Sequence, residues 1–299
     1  MSIATRESWL CERTSFIGAS EVAAILGCGY ADQSPITVWS NKVLGEHDES
    51  EEKRLRIGTL MEPVLMALFR EETNLETWPC SYRVERHPDH PWLGATLDAF
   101  ALERDGDLIT SVPVELKNVG YFRKRDWEDE PPLQYLVQLQ TQLAVTGAPH
   151  GYLFALIGGN ETSCKRIERN DRFIAAMIEK LTEFWGYVER KELPPVDSSE
   201  ATARALARIY PEDVGGTVEL PEEFESIAAD LASTKMFIKG AQATETEYEN
   251  KLKAAIGDAT FGVTPSGVRF SWKKTKDQDG YFVKPKQGYR VLRREKTKG

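Results

Sequence analysis

The chain has 299 residues, with 47 Asp+Glu against 38 Lys+Arg and a net charge of −9. At 41% hydrophobic and 28% charged it has the composition of a soluble globular protein with a real core. It contains no apolar run of about eighteen residues, which excludes a membrane-spanning helix.

The start of the chain, MSIATRESWLCERTS, lacks the apolar core of a signal peptide. The four cysteines, Cys11, Cys28, Cys80 and Cys164, are far apart with no C-x-x-C. That argues against a zinc ribbon or an iron–sulfur site and leads to the expectation of a reduced, cytoplasmic protein. Charge is unevenly spread. Residues 267–299 hold eleven Lys+Arg against three Asp+Glu, a net +8, which leaves −17 on the first 266 residues. A basic tail on an acidic body binds a polyanion through its local patch; the alternative is a tail kept for solubility.

In chain order, residues 13–27 (RTSFIGASEVAAILG) read as a loop entering a short helix, with Ser20 as N-cap and Glu21 in the first turn. Free N–H groups at a helix start attract phosphate, and Arg13 can bring a guanidinium to the same anion; a plain cap beside a surface arginine is the alternative. A second helix follows Ser34-Pro35 and closes at Gly45. Residues 46–54 are a charged loop. The next helix is expected over 59–72, with Pro63 in its first turn. Its stripe is Met61, Val64, Leu65 and Leu68, with Glu62 at the edge near Leu65 and Phe69.

Residues 80–87 and 92–102 read as strands joined by the turn HPDHP. VPVELK, residues 112–117, is another strand. Its alternation puts Glu115 and Lys117 on one face and Val114 and Leu116 on the other. With Asp98 this makes D-x16-E-x-K, an acidic metal-site pattern; a solvated strand face is the alternative. Residues 118–130 are a polar, aromatic loop, and Pro131-Pro132 opens a helix through LQYLVQLQTQLAVTG. Gln134, Gln138 and Gln142 share one flank of it, whereas Gln140 falls on the apolar face with Leu133, Val137, Leu143 and Ala144.

GYLFALIGG and SCKRIER read as adjacent strands, and residues 171–190 as a long amphipathic helix. LPPVDSS (193–199) reads as a linker, giving a core over 1–192 and a C-terminal extension over 200–299. In that extension 221–256 is one long helix or a helical hairpin ending at Gly257. Residues 260–294 are short strands with basic and aromatic residues interleaved.

Five pieces occur in one order: R-x6-S before a helix, GTLMEP, WLGATLDAF, VELK and VQLQTQLAVTG. Over residues 13–190 this order resembles the lambda exonuclease and YqaJ family of phage-type recombination nucleases, in the PD-(D/E)XK superfamily. The resemblance implies a restriction-endonuclease-like α/β core, a central mixed sheet with helices on both faces. It implies processive 5′→3′ digestion of linear double-stranded DNA with Mg²⁺, with Mn²⁺ able to substitute. It also implies a ring-shaped homo-oligomer, a trimer in the first instance, and a single-strand-annealing partner protein. The setting would be the cytoplasm of a bacterial or phage-infected cell.

Carried over by motif, Asp98 and Glu115 would be metal ligands, with Lys117 beside the attacked phosphate. The Leu116 carbonyl would add a third oxygen to the ion. Glu62 would complete the metal environment, and Gln138 would hold the attacking water or Lys117. Arg13 and Ser20 would match the pocket for a 5′-terminal phosphate. The chain departs from the pattern in Thr96-Leu97 before Asp98, Ala99 after it and Asn118 after Lys117. These departures bear on Thr96 as a phosphate contact, and Asp89 is only a candidate for the family's upstream acid. Two other readings stand beside this one: an endonuclease with the same site, and a non-catalytic DNA-binding or assembly module on a nuclease-like fold.

Overall fold

The computed structural model describes residues 12–45, 52–80 and 83–274. The chain divides into two compact units, Met1–Pro211 and Glu212–Gly299. The beginning of the chain, most of the charged loop at 46–54 and the tail beyond 274 lie outside the described residues.

The first unit runs β1 (Ile17–Gly18), α1 (Ala19–Ile25), α2 (Pro35–Leu44), α3 (Glu52–Thr73), β2 (Glu76–Pro79), β3 (Val84–Arg86), β4 (Leu93–Thr96), β5 (Ala99–Asp105) and β6 (Leu108–Val119). A 3₁₀ helix (Tyr121–Trp127) leads to α4 (Leu133–Thr146), β7 (His150–Ile157), β8 (Glu161–Glu168), α5 (Asp171–Arg190) and α6 (Glu200–Ile209). Five strands form a mixed sheet in the order β2-β5-β6-β7-β8. The β6–β7 pair is parallel and the other three pairs are antiparallel. Helix α4 supplies the long crossover that a parallel pair requires. A smaller sheet, β1-β4-β3, completes the strands of this unit.

Alternation along β6 assigns its two faces. Val112, Val114 and Leu116 join Ala99, Ala101 and Phe154 in a cluster with Leu65, Met66 and Phe69 of α3. On the other face Val119, Leu153, Ala155 and Ile157 pack with Leu139 of α4 and Trp127. Glu115 and Lys117 belong to that second face, as the period of two requires. A third cluster joins α1, α2 and α4 to the apolar stripe of α5, Ile174, Met177, Leu181 and Phe184. The mixed α/β core expected from the motifs is therefore present, a central sheet with helices on both faces.

Several local expectations change. The N-cap of α1 is Gly18, not Ser20: the Glu21 carboxylate reaches back to accept from the Gly18 N–H at 2.7 Å, and Ser20 sits in the first turn. α3 starts earlier than expected, so Pro63 lies inside it, where it gives the Thr59 carbonyl no N–H partner. Val64 is exposed, and Met66 and Phe69 join Leu65 on the buried stripe instead. The run 92–102 is broken after Thr96: β4 and β5 belong to different sheets. Strand β3 is shorter than expected from 80–87, of which residues 81–82 lie outside the described residues. Cys28, Cys80 and Cys164 are free thiols.

The boundary at 193–199 also shifts. Ser199 caps α6 by accepting from the Thr202 N–H at 3.1 Å, and α6 buries Ala201, Thr202 and Ala205. These three small buried side chains tie α6 into the first unit, whose limit is Pro211. In the second unit α7 (Glu223–Ile256) is one continuous helix with no buried residue. An antiparallel hairpin of β9 (Phe261–Val263) and β10 (Arg269–Ser271) follows. Among the described residues no helix is long and apolar enough to cross a membrane.

Candidate active site

The site is built where the β5–β6 ladder ends. The last registered pair is Ala99 with Val114. Asp98, one residue before β5, takes over with its side chain: Oδ2 accepts from the Leu116 N–H at 2.7 Å. The break between β4 and β5 is what leaves Asp98 free to turn its carboxylate toward β6.

Glu115 is 2% exposed, and both of its oxygens are engaged. Oε1 accepts from Gln138 Nε2 at 2.6 Å and from the Lys117 ammonium. Oε2 accepts from Gln142 Nε2. Lys117 Nζ also donates to Gln138 Oε1 at 3.1 Å and lies 5.0 Å from the centre of the Tyr135 ring. Tyr30 donates to the Tyr135 hydroxyl at 2.8 Å. Tyr135, Gln138 and Gln142 are spaced three and four apart and so share one face of α4.

The electrostatics follow from that crowding. Burial, and then the neighbouring Glu115 carboxylate, push the Asp98 carboxyl well above its usual range, with Lys117 opposing. Burial and Glu115 also raise Glu62. For Lys117, burial acts to lower the pKa, but Glu115 and Asp98 outweigh it and the net shift is upward. The ammonium stays charged at neutral pH and is unsuited to be a general base.

A cavity of about 220 Å³ opens on this cluster, lined among others by Arg13, Ser20, Glu62, Thr96, Asp98 and Gln138. Arg13 donates to Ser20 Oγ at 3.3 Å and faces Glu21 Oε1 at 3.5 Å. The structure thus brings the sequence-selected residues to one place, with Arg13 and Ser20 lining the same cavity as Asp98. Glu115, Leu116 and Lys117 stand behind Asp98 and Gln138. Asp89 does not line the cavity; its N–H donates to His87 Nδ1 at 3.2 Å. Gln140 serves the fold, donating to the Glu168 carbonyl at 2.7 Å and accepting from the Asn170 N–H at 2.9 Å.

The donor chemistry fits a hard divalent cation. Carboxylate oxygens are the ligands such ions take, and Asp98, Glu115 and Glu62 repel one another in the absence of added positive charge. Lys117 supplies part of that charge. Among the described residues no three His, Cys, Asp or Glu side chains stand as a ready-made metal cluster, so Glu115 would exchange some of its amide and ammonium contacts for an ion.

Gln142 is a member of this site that the motifs did not single out. It is fully buried, and among the described residues its Oε1 has no hydrogen-bond partner. Its signal was present in the four-residue spacing from Gln138. Glu21 and Lys42, which ion-pair at 2.6 Å beside Arg13, carried no motif.

A carboxylate pair, a lysine two residues after the second acid and a glutamine-bearing helix thus form one hydrogen-bonded cluster in a mixed α/β protein. The model of the YqaJ-like viral recombinase domain matches residues 8–149, a stretch that holds every residue named for the site. A relative in Bacillus subtilis (strain 168), described as uncharacterized protein YqaJ, is 28% identical over 290 residues, covering 92% of this chain and 88% of the relative. Among solved structures, an alkaline exonuclease from Laribacter hongkongensis is 21% identical with a TM-score of 0.49, covering 68% of this chain and 99% of that one. A phage-related exonuclease from Haemophilus somnus 129PT is 11% identical with a TM-score of 0.45, covering 58% and 94%.

Proposed function

We propose that this chain is a Mg²⁺-dependent deoxyribonuclease that digests linear double-stranded DNA in the 5′→3′ direction during phage-type recombination. The observation that carries this reading is the hydrogen-bonded set of Glu115, Lys117 and Gln138, of which Gln138 lines one cavity with Asp98, Arg13 and Ser20. A protein that only binds DNA gains nothing from buried carboxylates, which repel it.

Asp98, Glu115 and the Leu116 carbonyl would hold the ion, with Glu62 closing the acidic wall. When bound there, Mg²⁺, with Mn²⁺ as substitute, would supply charge relief at the phosphoryl oxygens and would lower the pKa of water. Lys117 holds its proton and places a fixed cation beside the scissile phosphate. Gln138 uses its carbonyl on Lys117, and its amide keeps Glu115 oriented. Gln142 pins the other Glu115 oxygen. Arg13 and Ser20 hold the terminal 5′-phosphate, which sets the strand against the acidic wall and ties cleavage to an end.

The test compares 5′-phosphorylated linear duplex with covalently closed circles, in Mg²⁺ or EDTA, alongside Glu115→Ala. Only the linear DNA should be degraded, only with Mg²⁺, and not by the variant; 5′ end label should be released first. Cutting of the circle would convert the reading to an endonuclease on the same site. DNA binding without any cleavage would leave a binding module.

The family resemblance supports a ring-shaped homotrimer acting beside a single-strand-annealing protein. Light scattering should then give three times the chain mass, and a monomer would remove the ring.

A further inference from the structure

The Arg13 wall of the cavity is held by a charge pair that the proposed chemistry does not use. Lys42, on α2, has a side chain only 2% exposed. Its Nζ donates to Glu21 Oε2 at 2.6 Å and to the backbone carbonyl of Arg13 at 2.7 Å. Glu21 Oε2 also accepts from the Gly18 N–H at 2.7 Å, while Oε1 faces the Arg13 guanidinium at 3.5 Å. Lys42 is therefore tied to the main chain of Arg13, and Glu21 to its side chain.

Burying an ammonium and a carboxylate is unfavourable unless the pair is well bonded, and such pairs add little to stability compared with an apolar filling. Here both ends are bonded, and the residue they share is Arg13. Arg13 is helical and adjoins the turn of Thr14 and Ser15 that precedes β1, where the Ser15 N–H donates to the Glu12 carbonyl at 2.9 Å. Phe16, which follows this turn, is flanked by Lys42 Nζ at 5.7 Å and by one further cation, the Arg86 guanidinium, at 4.0 Å from its ring centre. With Arg13 and Lys42 against Glu21, this wall carries net positive charge, in contrast to the acidic lining of Glu62 and Asp98. An anion entering the cavity is drawn to one side only, and where it rests depends on where Arg13 is held.

We propose that Lys42 and Glu21 are positioning residues for terminal-phosphate recognition: they hold Arg13 by its carbonyl and its guanidinium and so set the preference for 5′-phosphate over 5′-hydroxyl ends. The inference rests on the reading of the Arg13–Ser20 wall as the phosphate pocket.

The experiment uses the full chain with Mg²⁺ and blunt duplexes that differ only in a 5′-phosphate or 5′-hydroxyl. kcat and KM are measured for wild type, Arg13→Ala, Lys42→Met and Glu21→Gln, with a melting curve for each. Lys42→Met should lower the kcat/KM ratio of phosphate to hydroxyl ends about tenfold, mainly through KM on phosphate ends. Glu21→Gln keeps the hydrogen-bond acceptor but not the charge, and should lower the ratio about threefold. If Arg13→Ala removes the preference while both other variants keep it, the positioning role is overturned and the phosphate pocket stands. If Arg13→Ala leaves the preference unchanged, the pocket reading itself fails. An equal slowdown on both kinds of end would show a purely structural pair and also overturn the proposal. Should Lys42→Met not fold, Glu21→Gln decides.

Discussion

Lys117→Ala is expected to slow digestion of linear duplex DNA about a thousandfold, the usual cost of losing one preorganised charge at a reacting centre. Duplex binding, measured in Ca²⁺ or without metal, should persist, because the substitution removes one charge behind the cavity lining and leaves the Arg13 wall intact. The ammonium is held from three sides, by Glu115, by Gln138 Oε1 at 3.1 Å and by the Tyr135 ring at 5.0 Å. Its raised pKa means that its stabilising contribution is fully present below the unfolded value and is lost only as the pH climbs through the still higher folded value. Across neutral pH it is a constant cation. Lys117→Arg should rescue little, since a planar fork does not fit a slot shaped for a point charge. A rate for Lys117→Ala within tenfold of wild type would remove this residue from the transition state.

Asp98→Asn is expected to abolish digestion to a similar degree while making the metal-free protein more stable by about 1 kcal/mol, as commonly follows when a strained functional group is relieved. The amide oxygen that replaces Oδ2 can still accept from the Leu116 N–H, so the ladder end is kept. What disappears is a carboxylate that burial and Glu115 drive well above its usual range. The direction in pH follows. A carboxyl with a raised folded pKa costs nothing while both states are protonated, below the unfolded value near about 3.9. The cost grows as the pH rises from there through the folded value. Urea denaturation in EDTA should therefore show the variant more stable than wild type at pH 7 and level with it at about pH 3.5. A variant less stable at pH 7 would mean that the Asp98 carboxylate is not repelled in the way the site implies.

The surroundings of these two residues also show how much of the site is legible in the sequence itself. Glu115 and Lys117 could be placed on one face because a strand alternates with a period of two, and that rule depends on nothing distant. Gln138 and Gln142 could be placed on one flank by the helical period. Both rules hold in the structure. That Gln142 reaches Glu115 was not readable, because it depends on how α4 crosses the sheet, which no local spacing encodes. The same holds for Gln140, whose bonds run to Glu168 and Asn170, 28 and 30 residues away.

The misread elements have a common cause. Pro63 suggested a helix start, but a proline is tolerated within a helix when neighbouring contacts compensate, and Leu65, Met66 and Phe69 bury the α3 stripe against the sheet. Residues 193–199 look like a linker by composition, yet α6 beyond them is drawn back by the burial of Ala201, Thr202 and Ala205. Ser20 is a good N-cap by type, but α1 starts at Ala19 with Gly18 as its N-cap, whose N–H donates to the Glu21 carboxylate.

Local alternation, helical spacing and the order of five motifs were enough to establish a mixed α/β core and to pick out Asp98, Glu115, Lys117, Gln138, Glu62, Arg13 and Ser20. The gathering of Asp98, Glu62, Gln138, Arg13 and Ser20 around one cavity with Glu115 and Lys117 behind it, the saturation of Glu115, and the Lys42–Glu21 pair behind Arg13 were decided only by tertiary packing. The reason is physical: period and propensity act over a few residues, whereas desolvation and the pairing of buried charges depend on what distant segments bring alongside.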